Sequence, residues 1–351
     1  MKRIILFIAS VTLLMTACNK TEPAPTPEQY DKYIFFSHSV ETRASLIKDK
    51  EDLKRKSFGV VGYKYDKSIA SWDNTNAADR QAVFYDYNAS NQAVPVYNET
   101  IKINSEGICS YEPLQGWSNT KKYTFFAYYP IGNKYVTLVN AADGSAYTDG
   151  VPAIKYSVNT DDLKDSMVDL MIDPTSHKDL TSTSTGVNNG NVSFKFEHYL
   201  SALGIKVKNN SSGTIVITSA TITVSGLKYK DLTINLDTGT ISKTSENLAD
   251  QSLSLTGQTF SSKEEDEIDD KFIFIPQDEN ITVGVTVEYT RTCTGYPDFN
   301  SYATFTGLTT KLTKGNKHLI VLKFSESTVE VTGTVDQEGW SDSHEVEDTF
   351  N

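Results

Sequence analysis

Cys18 is the residue whose chemistry is easiest to state. It closes the run Leu14-Met15-Thr16-Ala17-Cys18, where small residues stand directly before a cysteine. Lys2 and Arg3 give a short basic start. Ile4 to Met15 then form an almost unbroken apolar stretch, too short to cross a bilayer as a helix of ~20 residues. This is the pattern of a bacterial export signal ending in a lipobox. Residues 1–18 are expected to be signal peptide, with acyl chains, palmitate among them, carried on Cys18. Each buried methylene adds ~0.8 kcal/mol to anchoring, so more than one chain holds a protein stably at a membrane. Residues 19–29, with Pro23, Pro25 and Pro27, read as an extended tether. No later segment is apolar enough to be transmembrane.

A search for further chemistry returns little. The five histidines, His38, His177, His198, His318 and His344, have no second His or Cys at metal-ligand spacing. His198 follows Phe194 and Phe196 in a period-two run and reads as a satisfied strand histidine. There is no Gly-rich phosphate loop or nucleophile elbow in a strand-turn-helix context. Glu264 to Asp270 is strongly acidic but lacks the glycine and spaced oxygens of a calcium loop, so a solvated loop is expected. Cys109 and Cys293 are expected to be free and partly buried rather than bridged. No paired catalytic carboxylates can be named. The sequence therefore points away from an enzyme, and no cofactor or metal is expected. Trp72, Trp117 and Trp340 are candidates for stacking on sugars, although most Trp side chains are substantially buried.

The elements that position these residues are strands. The chain has 351 residues, 11% aromatic with 19 Tyr and 16 Phe, a composition suited to pleated surfaces. Its length suits two domains. A net charge of −12 argues against the basic face that nucleic acid needs. Ile281, Val283, Val285, Val287 and Tyr289 alternate with polar residues, and so do Val329, Val331 and Val335. Such runs set one face on a core and one toward water. Phe272 to Ile275 and Leu319 to Leu322 are apolar on both faces and read as central sandwich strands. Turn signals fall at 140–144, 188–190, 209–213, 237–239 and 314–316. Helical patterning is sparse: Thr160 to Met171 suits a short helix, and Glu41 to Lys56 is charged and ambiguous. The polar segment 178–191 reads as a joint. It divides an N-terminal β-sandwich, 30–190, from a C-terminal one, 191–351.

Several segments resemble the fimbrillin family, the type V pilins of Gram-negative anaerobes. They are Val96-Tyr97-Asn98-Glu99-Thr100-Ile101-Lys102-Ile103, then Tyr111-Glu112-Pro113, Trp117, and Tyr123 to Pro130. Asp169-Leu170-Met171, Val192 to Ser201, and Phe272 to Gln277 follow in the family's order, and Thr42-Arg43-Ala44 matches a tripeptide common in its first strand. Cys109-Ser110-Tyr111 departs from the Trp-x-Tyr of many members. Asp165-Ser166-Met167 has the form of an O-glycosylation tripeptide used by some of the same bacteria.

The resemblance implies a mainly β protein with two tandem β-sandwich domains of transthyretin-like or Greek-key type. It also implies a lipoprotein of the outer membrane and cell surface that builds a fimbria. In several members an arginine-specific protease removes the N-terminal segment with its first strand. A strand of the next subunit then fills the groove, a form of strand addition. Here the cleavage candidate is Arg43 before Ala44, with Arg55 as runner-up, and the donor candidate is Val329, Val331 and Val335. Two plainer readings stay open: Arg43 as a solvated residue after the first strand, and Val329 to Val335 as an ordinary edge strand. The expected partners are copies of this chain or other fimbrillin subunits, the outer membrane through the lipid, and a host or bacterial surface ligand. A surface lipoprotein that never polymerises, serving as pilus anchor or as a glycan- or host-protein-binding module, is the alternative.

Overall fold

The computed structural model describes residues 33–40, 50–175 and 177–336. Cys18, Arg43, Ala44, Trp340 and His344 lie outside the described residues, as does the tether. The described chain is almost wholly β, with one α-helix, Leu163–Ser166, among the described residues. That helix falls inside the expected stretch and is opened by Asp162, whose carboxylate accepts the Lys164 N–H at 3.1 Å.

A ten-stranded sheet occupies the first half of the chain. At its centre Ser57–Asp66 pairs antiparallel with both Lys121–Tyr129 and Asn98–Ile103. Ser57–Asp66 and Lys121–Tyr129 bury consecutive residues on both faces because each face meets a separate core. Phe58, Val60, Tyr123, Phe125 and Ala127 belong to one buried cluster. Val61, Tyr63, Tyr65, Phe126 and Tyr128 belong to another. The sheet is thus a wall between two cores.

The second half builds two facing sheets. One runs in the order Glu265–Phe274, Ser201–Asn209, Lys317–Phe324, Val329–Asp336. The other runs Gln251–Leu255, Thr214–Ser225, Ile281–Thr292, Phe299–Thr310. Tyr289 and Phe324 meet between them with ring centroids 4.8 Å apart, as sandwich packing requires. The alternation at 281–289 is realised as read: its five apolar residues are buried.

Three expectations change. Glu265–Phe274 is the edge of its sheet, not a centre, and the acidic run is part of that strand rather than a loop. Lysines make this workable: Lys206 and Lys208 both reach Glu265, and Lys317 reaches Glu267. A charged edge also discourages pairing with foreign strands. The segment 178–191 is held in the first sheet, because Val187–Asn188 pairs with Asn191–His198 and His177–Leu180 pairs with Lys121–Tyr129. Its backbone bonds, not an apolar period, fix it there. The division expected at 190/191 would therefore cut the first sheet just before its strand Asn191–His198. A further sheet joins Pro152–Ser157 to Tyr229–Asn235, and the larger core draws residues from Val61 to Val329, on both sides of that division.

Antiparallel pairing dominates, but two parallel pairs stand out. Phe35–Val40 runs parallel to Asn191–His198, and Ser201–Asn209 runs parallel to Lys317–Phe324.

Candidate assembly site

The strand Phe35–Val40 ends where the described residues break off ahead of 41–49, the segment that contains Arg43. It lies at the rim of the first sheet and buries one side chain in two. Ile34 is 0%, Phe36 5% and Val40 9% exposed, while Phe35, Ser37 and Ser39 turn outward. Phe36 sits among four rings: Phe125 and Phe194 at 5.4 Å, Tyr111 at 5.5 Å and Phe84 at 6.1 Å. The Phe84 ring is admitted by Gly62, where a Cβ would lie 2.6 Å from it.

Hydrogen bonds hold the strand on both sides. The Ile34 N–H donates to the Gln115 carbonyl at 2.7 Å and the Phe35 N–H to the Gly190 carbonyl at 3.0 Å. The Tyr111 hydroxyl donates to the Ile34 carbonyl at 2.9 Å, Asn191 Nδ2 to Ser37 Oγ at 2.8 Å, and Ser39 Oγ to the Phe194 carbonyl at 3.3 Å. His38 Nδ1 lies 3.4 Å from Cys109 Sγ. Burial lowers the His38 pKa and pushes the Cys109 thiol up to about 12, so this is a neutral contact between imidazole and thiol. Cys109 and Cys293 are both free, as expected.

Phe36 packs on Phe84, Tyr111, Phe125 and Phe194, and His38 on Phe58, so removing this strand would uncover these rings. The groove so opened is lined with rings and bounded by Asn191–His198 and Cys109–Ser110. Burying each of Ile34, Phe36 and Val40 is worth ~1.5–3 kcal/mol, so the strand is a major contributor to the first core.

Arg55, the other cleavage candidate, is exposed in a turn at φ 64°. Its N–H donates to the Ile103 carbonyl at 2.9 Å, and Leu53 beside it is fully buried. Val329–Asp336 pairs antiparallel with Lys317–Phe324 and forms the outer edge of its sheet. Val329 is buried and opposes Phe324, Val331 is half-buried on the larger core and opposes Leu322, and Val335 opposes His318.

The remaining candidates fall elsewhere. Ser166 of the glycosylation tripeptide is 0% exposed and its Oγ donates to the Leu163 carbonyl at 3.0 Å, so the folded chain does not present it. Trp72 is buried under the Arg80 guanidinium, and Trp117 packs on Tyr123 at 4.8 Å, so neither is a sugar platform. Two carboxylate–imidazole pairs escaped the sequence reading: Asp169–His198 at 2.6 Å and Asp173–His177 at 2.8 Å, flanking Met171–Ile172. Their sole sequence signal was a histidine beside an apolar period. Among the described residues no three His, Cys, Asp or Glu are placed to hold a metal, and no helix is long and apolar enough to cross a membrane.

The comparisons agree with this architecture. A family model described as fimbrillin-like matches residues 69–340. A fimbrial protein from Bacteroides vulgatus has a similar fold, with TM-score 0.61, 22% identity, and coverage of 88% of this chain and 100% of its own. A candidate cell adhesion protein from Bacteroides ovatus follows at TM-score 0.51 and 14% identity, covering 89% of this chain and 99% of its own. No curated protein matches the sequence.

Proposed function

The chain belongs to the fimbrillin-like family, and we propose that it is a structural subunit of a surface fimbria, exported as a lipoprotein through Cys18 and assembled by strand exchange. In this reading cleavage after Arg43 releases residues up to and including Phe35–Val40. Arg43 is preferred to Arg55 because cutting beside the buried Leu53 requires more of the core to open. The vacated groove then receives Val329–Asp336 from a second subunit, of this chain or of another fimbrillin. The subunit in this reading is built of two β-sandwich parts, tied together by the sheet that joins Pro152–Ser157 to Tyr229–Asn235.

The observation that carries this reading is the placement of Phe36. Phe36 and Val40 are buried with Ile34 just before them and His38 half-buried between, and the arginine segment follows at once, an arrangement that suits a strand whose removal leaves a groove. The donor candidate offers the same period over four positions, Val329, Val331, Gly333 and Val335. An open strand edge is an aggregation hazard, and a strand kept in place until export has finished protects against it. Val331→Asp tests the scheme. The variant is expected to export and fold but to build no filaments under electron microscopy, and filaments of normal length would remove this strand from the mechanism.

One observation favours a second reading. No residue of Val329–Asp336 matches Phe36 in size, so a valine in its place leaves part of the groove unfilled. A subunit that keeps Phe35–Val40 and its lipid, as an anchor at the filament base or as a separate adhesin, uses that strand permanently. A mature protein found only with its lipidated Cys18 would select this reading.

A further inference from the structure

The outward face of the sheet Gln251–Leu255, Thr214–Ser225, Ile281–Thr292, Phe299–Thr310 differs from the rest of the surface. Register aligns Ser254, Thr221, Thr286 and Thr304 in one row across all four strands. The neighbouring rows are also polar and uncharged: Ser252 with Thr223, and Ser225 with Thr282 and Thr309. Among the described residues these rows carry no ionised side chain, and Glu288 stands in the next row, between Ser219 and Tyr302, in a chain that is 22% charged. At the open edge stands Tyr302, 61% exposed and opposite Glu288, with its hydroxyl accepting from Thr304 Oγ1 at 2.7 Å. Asn300 lies next to it on the same face, its Oδ1 accepting from Thr290 Oγ1 at 2.7 Å.

We propose that this hydroxyl-covered face, with Tyr302 at its edge, is a binding surface for a neutral carbohydrate chain. The chemistry on both sides is alike. A hydroxyl both donates and accepts, so rows of Ser and Thr repeating ~4.8 Å across strands and ~6.8 Å along them can exchange water-mediated or direct bonds with sugar hydroxyls. An exposed Tyr ring adds an apolar face against which the C–H side of a pyranose packs, and its polar end remains wet. Charge selects among partners. The face offers neither the cations that bind acidic glycans nor the apolar area that a protein partner would bury, and the net charge of −12 repels anions from the surface around it. The proposal does not depend on strand exchange, because the hydroxyl rows alternate with buried residues and face away from the core on which Val331 packs, although Phe299–Thr310 itself runs close to Val329–Asp336.

The test is an oligosaccharide array carrying neutral, sialylated and sulfated glycans, probed with the full chain in mild detergent at low and at high salt. Binding to neutral glycans, equal at both salt concentrations, is expected. Thr286→Lys puts a charge at the centre of the face and Tyr302→Ala removes the ring, and each is expected to weaken binding about tenfold or more while melting with the parent. If Thr286→Lys fails to fold, the exposed Tyr302→Ala decides alone. The proposal is overturned by no retention on any neutral glycan, by preference for the acidic ones, or by variants that bind like the parent. It is overturned equally if Thr286→Lys changes only self-association in sedimentation, which would make the face a contact between copies.

Discussion

The two terminal strands of the described chain, Phe35–Val40 and Val329–Asp336, are both strands at a rim, yet they are held differently. The first runs parallel to its neighbour and sends Phe36 into a nest of four rings, with hydrogen bonds to Gln115, Gly190, Tyr111 and Asn191 on either side. The last runs antiparallel along one neighbour, and among its residues of described burial Val329 is buried and Val331 half-buried. One is a plug in a core and the other a latch on an edge. The contrast teaches that the two strands suit different steps. In the proposed assembly a plug has to be cut away before it leaves, whereas a latch detaches at smaller cost and suits the role of the lent segment.

Substitutions at equivalent positions sharpen this contrast. Phe36→Ala should lower stability most, by ~3–5 kcal/mol, since it leaves a ring-lined cavity that the strand cannot collapse into. Denaturant unfolding measures it, and a loss below ~1 kcal/mol would mean the strand is no plug.

The next effect is acid. Burial lowers the His318 pKa from 6.5 to about 4, and His318 lies on the strand that the latch covers. Its Nε2 accepts the Thr313 N–H at 3.4 Å, and Nδ1 pairs with Thr310 Oγ1 at 3.1 Å. The unfolded chain takes up a proton below pH 6.5 while the folded chain does not. The stability from neutral His318 is therefore full above 6.5 and falls by about 3 kcal/mol as pH drops to about 4. His318→Gln should flatten that part of the pH–stability curve. His38 also has a lowered pKa, so the plug weakens in the same direction.

Val331→Ala should cost ~1–2 kcal/mol at most, well below Phe36→Ala, as a latch requires. Equal losses at the two positions would break the comparison. The smallest perturbation is chemical labelling. With the plug in place Cys109 should react slowly with a maleimide, and cleavage between residues 40 and 50 followed by loss of the strand should expose it to rapid reaction. Labelling unchanged by cleavage would show that the strand stays bound or that Cys109 was never covered by it.

Much of this was legible in the sequence because its physics is local. The alternation at Ile281 to Tyr289 gives a half-buried strand whatever surrounds it, and Asn189-Gly190 and Asp237-Thr238-Gly239 mark turns through the positive φ values observed at Asn189, Gly190 and Gly239. What was not legible depends on partners far along the chain. Phe272 to Ile275 reads as a central strand by its apolar faces, but hydrogen bonding makes it an edge, because burial and pairing are separate properties. The polar run 178–191 has no period, so nothing in it announces that backbone bonds tie it to the first sheet. The groove around Phe36 gathers rings from 58 to 196, and no spacing rule links them. The hydroxyl face emerges only once register sets Ser254, Thr221, Thr286 and Thr304 in one row.

The central claim is that Phe35–Val40 is a plug removed to open an assembly groove. Mass spectrometry of the protein isolated from its native cell surface tests it most directly. The account predicts a mature chain that begins at Ala44 and carries no lipid. A chain that begins only at a lipidated Cys18, with Phe35–Val40 retained, would contradict it.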